Sequence, residues 1–186
     1  MPLSDVEWAS LPNLPTGQGR KSTMPKEKTM DDLFYDALKD IYYAERKILK
    51  ALPKMARGAQ APELKAAFEK HREQTETHVE RLQQVFELIG KRAQGKTCEA
   101  IEGIIAEGEE IMDEFKGTAA LDAGLISAAQ SVEHYEIARY GTLKTWAQTI
   151  GLKDAVPLLD ATLKEEVVTD QDLTKLATAK SNRKAA

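Results

Sequence analysis

From Thr29 to Ala179 the apolar residues recur at steps of three and four, and no stretch alternates with the period of two that a half-buried strand requires. That pattern restricts the chain to packed helices. Phe34, Leu38, Ile41, Ile48, Leu52 and Met55 define the apolar face of a first helix over about Met30–Arg57. Thr29 and Asp32 form its capping box, and Pro53 is expected to kink or end it. Gly58 to Pro62 is a turn. A second helix follows to about Ile89, with Leu64, Phe68, Leu82, Phe86 and Ile89 on one face and Gly90 as its stop. Thr97 is placed to cap a shorter third helix reaching about Phe115, with Ile101, Ile104, Ile105 and Met112 as its stripe. A fourth spans about Ala119–Ile150. A fifth begins between Asp154 and Pro157 and reaches about Ala179.

Four of these helices are long, at about 40 Å each, and the third is shorter. Short turns make helices one and two antiparallel, and likewise helices four and five. The segment from Lys91 to Thr118 is too long for a hairpin loop and long enough to run back along the bundle. The expected fold is therefore all-α: a ferritin-like four-helix bundle whose long crossover carries the fifth, shorter helix. The domain occupies residues 29–179. Residues 1–28, with Pro, Gly, Ser and charge around Trp8, Leu11 and Leu14, read as a flexible arm able to dock on the body or strap a partner; residues 180–186 read as a disordered tail.

Composition excludes several classes. Twenty-six basic residues against 30 acidic ones leave a net charge of −4, so nucleic acid is not the expected partner. The single cysteine, Cys98, rules out a disulfide framework within the chain and is expected to be an inert thiol. No apolar run reaches the length of a membrane span, and the N-terminus lacks a signal-peptide pattern, so the cytoplasm is the expected compartment.

The informative feature is acid in the apolar stripes. On helical wheels Glu45 lies at the centre of the first arc and Glu136 at the centre of the fourth, with Glu133 one step beside it. On the fifth helix Glu165 and Glu166 sit on the shoulders of the arc, and Asp170 follows Glu166 by one turn. On the second, the arc runs Phe68, His71, Thr75, Val79, Leu82, Phe86, with Glu76 on its flank and Glu73 further round. All these acids lie near the middle of their helices, so one slice of the bundle gathers them. Carboxylates gathered without partners cost several kcal/mol each to desolvate. Protonation, buried cations such as Arg139 beside Glu45, or bound metal would relieve that cost.

The metal reading takes Glu45, Glu73, Glu76, Glu133, Glu136, Glu166 and Asp170 as candidate ligands, Glu165 less so, for two divalent ions, Fe or Mn. The plain alternative for Glu73 and Glu76 is a solvated acidic face with Glu69 and Glu80. His71 and His78 are expected as hydrogen-bonded interior or interface histidines rather than ligands, and His134 as a surface residue. Tyr42 and Tyr140 are placed either to bond a carboxylate or simply to pack.

The stretches Tyr43-Ala44-Glu45-Arg46, His71-Arg72-Glu73-Gln74-Thr75-Glu76, Val132 to Leu143, Cys98 to Gly103 and Glu165 to Asp170 resemble the YciE/YciF family of bacterial stress proteins over roughly Thr29 to Ala179. The resemblance implies a ferritin-like dimer of rubrerythrin-type build with a carboxylate-rich di-metal pocket. It implies one Glu from the first helix (Glu45), Glu-x-x-His from the second, Glu-x-x-Glu from the fourth (Glu133, Glu136) and an acid pair from the fifth. In this chain the second helix reads Glu73-x-x-Glu76 and the fifth has Thr169 three residues after Glu166. The expected donor set is therefore all oxygen, which favours harder ions. Three functions follow as expectations: a metal-dependent redox or peroxide-reactive protein, a non-enzymatic interaction module with a vestigial acid cluster, or a storage cage, the last disfavoured by the implied dimer.

Overall fold

The computed structural model describes residues 27–185. Five principal helices follow one another: α1 (Met30–Gly58), α2 (Pro62–Leu88), α3 (Glu99–Glu114), α4 (Leu121–Thr149) and α5 (Ala155–Leu176). The described chain is all-helical, as the apolar periodicity requires. The arm with Trp8, Leu11 and Leu14 lies outside the described residues. Among the described residues no helix is long and apolar enough to cross a membrane.

Helix α1 starts where its capping box sets it. The Thr29 side chain accepts from the Asp32 backbone N–H, and Asp32 accepts from the Thr29 backbone N–H at 2.9 Å. Pro53 neither kinks it to a stop nor ends it; the helix continues to Gly58. So late in the helix, proline removes one backbone donor, and the buried Leu52, Met55 and Ala56 hold the last turns against the core. Helix α2 opens on Pro62 at its first position, and α3 starts after Cys98 rather than Thr97.

The turn that leads into α2 is held by a distant part of the sequence. Ala61, its N-cap, has no side chain able to accept a bond. The buried Asp122 carboxylate instead holds the residues just before the helix, accepting from the backbone N–H of Gln60 at 2.7 Å and of Ala61 at 2.8 Å. This stitches the α1–α2 turn to the first turn of α4.

The crossover runs back along α1. Gln94 donates to the Tyr35 hydroxyl at 2.8 Å, and the Lys96 backbone N–H to the Lys39 carbonyl at 3.2 Å. Gly95 presses so closely on Tyr43 that an added Cβ would lie 3.1 Å from that residue's Cβ. Within α3, Glu102 meets Tyr43 and Lys47, Glu109 meets Lys54 at 2.7 Å, and Met112 reaches Gly58. Helix α3 is thus parallel to α1, and α4 begins beside the start of α2. Helices α2 and α4 are parallel, as the long crossover predicted.

In cross-section α1 packs on α2 and α4, and α5 packs on α2 and α4; α3 lies outside against α1 and α4. The C-terminal segment, expected to be disordered from residue 180, continues through a π-turn (Ala177–Ser181) into a short helix (Asn182–Ala185), both against α4. Ser181 is buried there, which ties the segment down.

Candidate metal centre

Each of the four long helices keeps its step of four and three through the middle of the bundle, but polar residues take the inner positions there. Helix α1 buries Ile41, Glu45, Ile48; α4 buries Ala129, Glu133, Glu136, Tyr140, Leu143; α5 buries Leu159, Thr162, Glu166. Helix α2 buries Leu64, Phe68, His71, Thr75, His78, Leu82, a run of alternating four and three with two histidines in it. Glu45, Glu136, Glu166 and His78 are fully buried, Glu133 is 2% exposed and His71 4%.

These residues form two donor sets. His71, Glu133, Glu136 and Glu166 offer ligand atoms within 4.8 Å of one another, and so do Glu45, His78 and Glu166. Glu166 belongs to both. His71 Nε2 lies 3.3 Å from Glu133, and His78 Nδ1 lies 2.9 Å from Glu166 and 3.6 Å from Glu45.

Of the acids singled out in the sequence, Glu45, Glu133, Glu136 and Glu166 come together here. Glu73 and Glu76 do not: both face solvent on α2, and Glu76 pairs with Arg72 at 3.0 Å. Asp170 lies at the edge, accepting from Gln130 at 2.9 Å with exposed His134 nearby. Arg139 does not reach Glu45; it lies over the Tyr135 ring. The histidines set aside in the sequence are the nitrogen donors, so the cluster is mixed nitrogen and oxygen, not the expected all-oxygen set. The signal for them was the unbroken spacing from Leu64 to Leu82, whereas Glu73 is about 200° round the wheel from His71.

Around this cluster stand residues that orient it. His78 presents Nε2 to Glu165 at 2.8 Å. Arg81 grips the same carboxylate with two bonds, of 2.7 and 2.9 Å, and reaches Thr162 at 3.2 Å. With Nε2–H donated outward, Nδ1 is directed at Glu45 and Glu166. Glu165, one of the lesser candidates, therefore positions a histidine. The Tyr140 hydroxyl donates to Glu45, settling its role as a carboxylate partner. Tyr42 instead accepts from Gln83 at 3.2 Å and packs edge-on against Phe86. Cys98 is buried, with Tyr135 at 3.1 Å.

The electrostatics are those of crowded acids. Burial pushes the Glu45 carboxyl up, and it pushes Glu133 and Glu136 well above their usual range, with repulsion from neighbouring carboxylates adding to it. Burial pushes His71 down. It disfavours the charged form of His78 too, but the nearby Glu166 and Glu45 carboxylates outweigh it and lift this histidine to about 11. Glu165 is held low by Arg81.

The donors suit a pair of metal ions. Both oxygens of Glu136 and of Glu166, one of Glu45 and of Glu133, both nitrogens of His71 and Nδ1 of His78 are buried without a hydrogen-bond partner. Orphaned polar atoms at this density are costly, and cations coordinated by them would remove the cost. Four carboxylates also match the charge of two divalent ions.

Comparison with known proteins gives a consistent set. Residues 29–186 match the model of a domain of unknown function, DUF892. The chain is 43% identical to protein YciF of Escherichia coli K12 over 159 residues, covering 85% of this chain and 96% of that protein. The crystal structure of the E. coli stress protein YciF superposes with a TM-score of 0.78, covering 82% of this chain and 96% of that one. YcfI from Rhodopseudomonas palustris, 45% identical, gives 0.77 over 79% of this chain and 94% of its own. A protein from Xanthomonas campestris pv. campestris, 22% identical, shares the fold at 0.63, covering 81% and 92%.

Proposed function

Because this chain belongs to the DUF892 family, the family of the stress protein YciF, we propose that it is a stress-response protein that binds two divalent metal ions, Fe or Mn, inside its helical bundle. The observation that carries this reading is the pair of buried donor sets sharing Glu166. His71, Glu133 and Glu136 would hold one ion, Glu45 and His78 the other, with Glu166 common to both. Bound iron or manganese supplies a centre able to exchange electrons with oxygen or peroxide.

The chain's own residues prepare for that chemistry. Glu165 keeps the proton on His78 Nε2, so the proton that leaves on metal entry is the one on Nδ1. The Tyr140 hydroxyl fixes one oxygen of Glu45 and leaves the other free to coordinate. The nitrogen donors fit Fe or Mn better than an all-oxygen set would.

Metal content after anaerobic reconstitution with Fe(II) or Mn(II) tests the reading. About two ions per chain are expected. Glu166→Gln is expected to retain fewer than one, since it removes the shared ligand, whereas Glu73→Gln and Glu76→Gln keep both. A parent that stays empty with either metal would leave a proton-sharing carboxylate cluster in a helical interaction module. Metal-dependent peroxide consumption then tests reactivity separately. The reading includes a cytoplasmic homodimer, supported by the family resemblance and by exposed Leu33, Leu88, Phe115 and Val168; sedimentation velocity tests that association.

A further inference from the structure

A cavity of about 60 Å³ adjoins the buried cluster on its His71–Glu133 side. All four long helices wall it. Leu52 and Met55 come from α1, Phe68 and Ala67 from α2, Ala129 and Val132 from α4, and Leu173 from α5. Its polar lining divides into two groups. His71 and Glu133 are buried, and His71 has no hydrogen-bond partner for either ring nitrogen. Lys70 and Gln74 on α2 and Thr169 and Asp172 on α5 complete the lining, where exposed Lys70 and half-exposed Asp172 approach to 4.0 Å. The cavity thus joins a rim at the α2–α5 surface to the inner donors.

We propose that this chamber is a binding site for a small, uncharged, apolar molecule, delivered between α2 and α5 to the His71–Glu133 end of the centre. Size and chemistry set the class. A cavity of about 150 Å³ takes up benzene, so a space of about 60 Å³ suits a molecule of roughly two to four heavy atoms. Aliphatic and aromatic walls offer such a molecule dispersion contacts and offer a charged one of equal size no compensation for lost hydration. Apolar walls of this kind take up apolar guests. The fully enclosed polar residues of its lining, His71 and Glu133, stand at the inner end. A guest held there lies beside the proposed ions rather than in their place.

The consequence for that chemistry rests on the metal reading; the chamber itself does not. Xenon binding to the metal-free, full-length protein, followed by methyl NMR, therefore separates the two. Saturable shifts are expected at Leu52, Met55 and Leu173, and acetate, similar in size but charged, is expected to cause none. Ala67→Leu fills the chamber from its half-exposed wall and is expected to weaken xenon binding by about tenfold or more. Leu173→Ala enlarges it and is expected to gain benzene binding that the parent lacks. No saturable xenon shift in the parent overturns the proposal, as does an acetate response at the same methyls, an unchanged xenon response in folded Ala67→Leu, or no benzene gain in Leu173→Ala. Xenon binding with no metal uptake would leave the chamber standing and remove the centre.

Discussion

Glu165 shows how a single side chain can decide what its neighbour does. Its carboxylate is half-exposed, clamped by Arg81 and bonded to Nε2 of a fully buried histidine. Without that acceptor, His78 could turn or hold its proton on the other nitrogen. Glu165→Gln is expected to weaken metal binding by about 10- to 100-fold with little change in thermal stability, as measured by competitive titration against a chelator. A loss of stability with unchanged affinity would make the clamp a fold element instead. At this scale the sequence was partly legible. Glu45 and Glu136 sit so centrally in apolar arcs that their burial could be read directly. His71 stood in the arc as well, yet neutral histidine is an ordinary core residue, and residue type alone does not separate ligand from filler. The spacing of Glu73 and Glu76 resembles a ligand motif, although their phase on the wheel points to solvent.

Between elements, two contacts rest on single residues. Asp122 holds the entry to a helix that begins 60 residues earlier in the chain, and no local pattern announces it. Asp122→Ala leaves two backbone donors without their acceptor and is expected to cost about 1.5–3 kcal/mol in urea unfolding. The α3–α4 contact is equally specific. A Cβ on Gly124 would lie 2.6 Å from Ile111 Cγ2, whereas one on Gly103 meets nothing within 4 Å. Gly124→Ala is therefore expected to lower stability by about 1 kcal/mol or more through overpacking. Gly103→Ala is expected to raise it by about 0.5–1 kcal/mol, because alanine is the better helix former. Differential scanning calorimetry on the pair checks both signs. The helices themselves were readable to within a few residues at most ends, because caps and turn glycines mark them locally. Their continuation past Pro53 and past residue 180 was not, because tertiary burial decides both.

For the molecule as a whole, the centre makes stability depend on pH. Burial, reinforced by mutual repulsion, raises Glu133 and Glu136 well above 4.5, and contacts with carboxylates raise His78 from 6.5 to about 11. The folded, metal-free protein keeps protons that the unfolded chain has released. The stability these groups contribute is complete below their unfolded values and is lost as pH rises through their folded ones. His71, shifted down, opposes this only below 6.5. The Tm of metal-free protein is therefore expected to fall between about pH 6.5 and 8.5, by up to ~1.4 kcal/mol of stability per pH unit for each proton held. Metal-loaded protein is expected to show the opposite slope, because the ions displace those protons. Calorimetry across that range reads both.

The path of the crossover has one more implication. It separates the chain into two helical hairpins, and the inner donors divide evenly between them. Glu45, His71 and His78 lie on the first, Glu133, Glu136 and Glu166 on the second. Neither hairpin owns a complete set; the centre is the seam where they meet. Severed within residues 91–97, the halves would behave as complementary fragments whose reunion depends on cations, because one brings the imidazoles and the other most of the acid. The polypeptide that joins them then serves chiefly to keep two incomplete chelators at high local concentration.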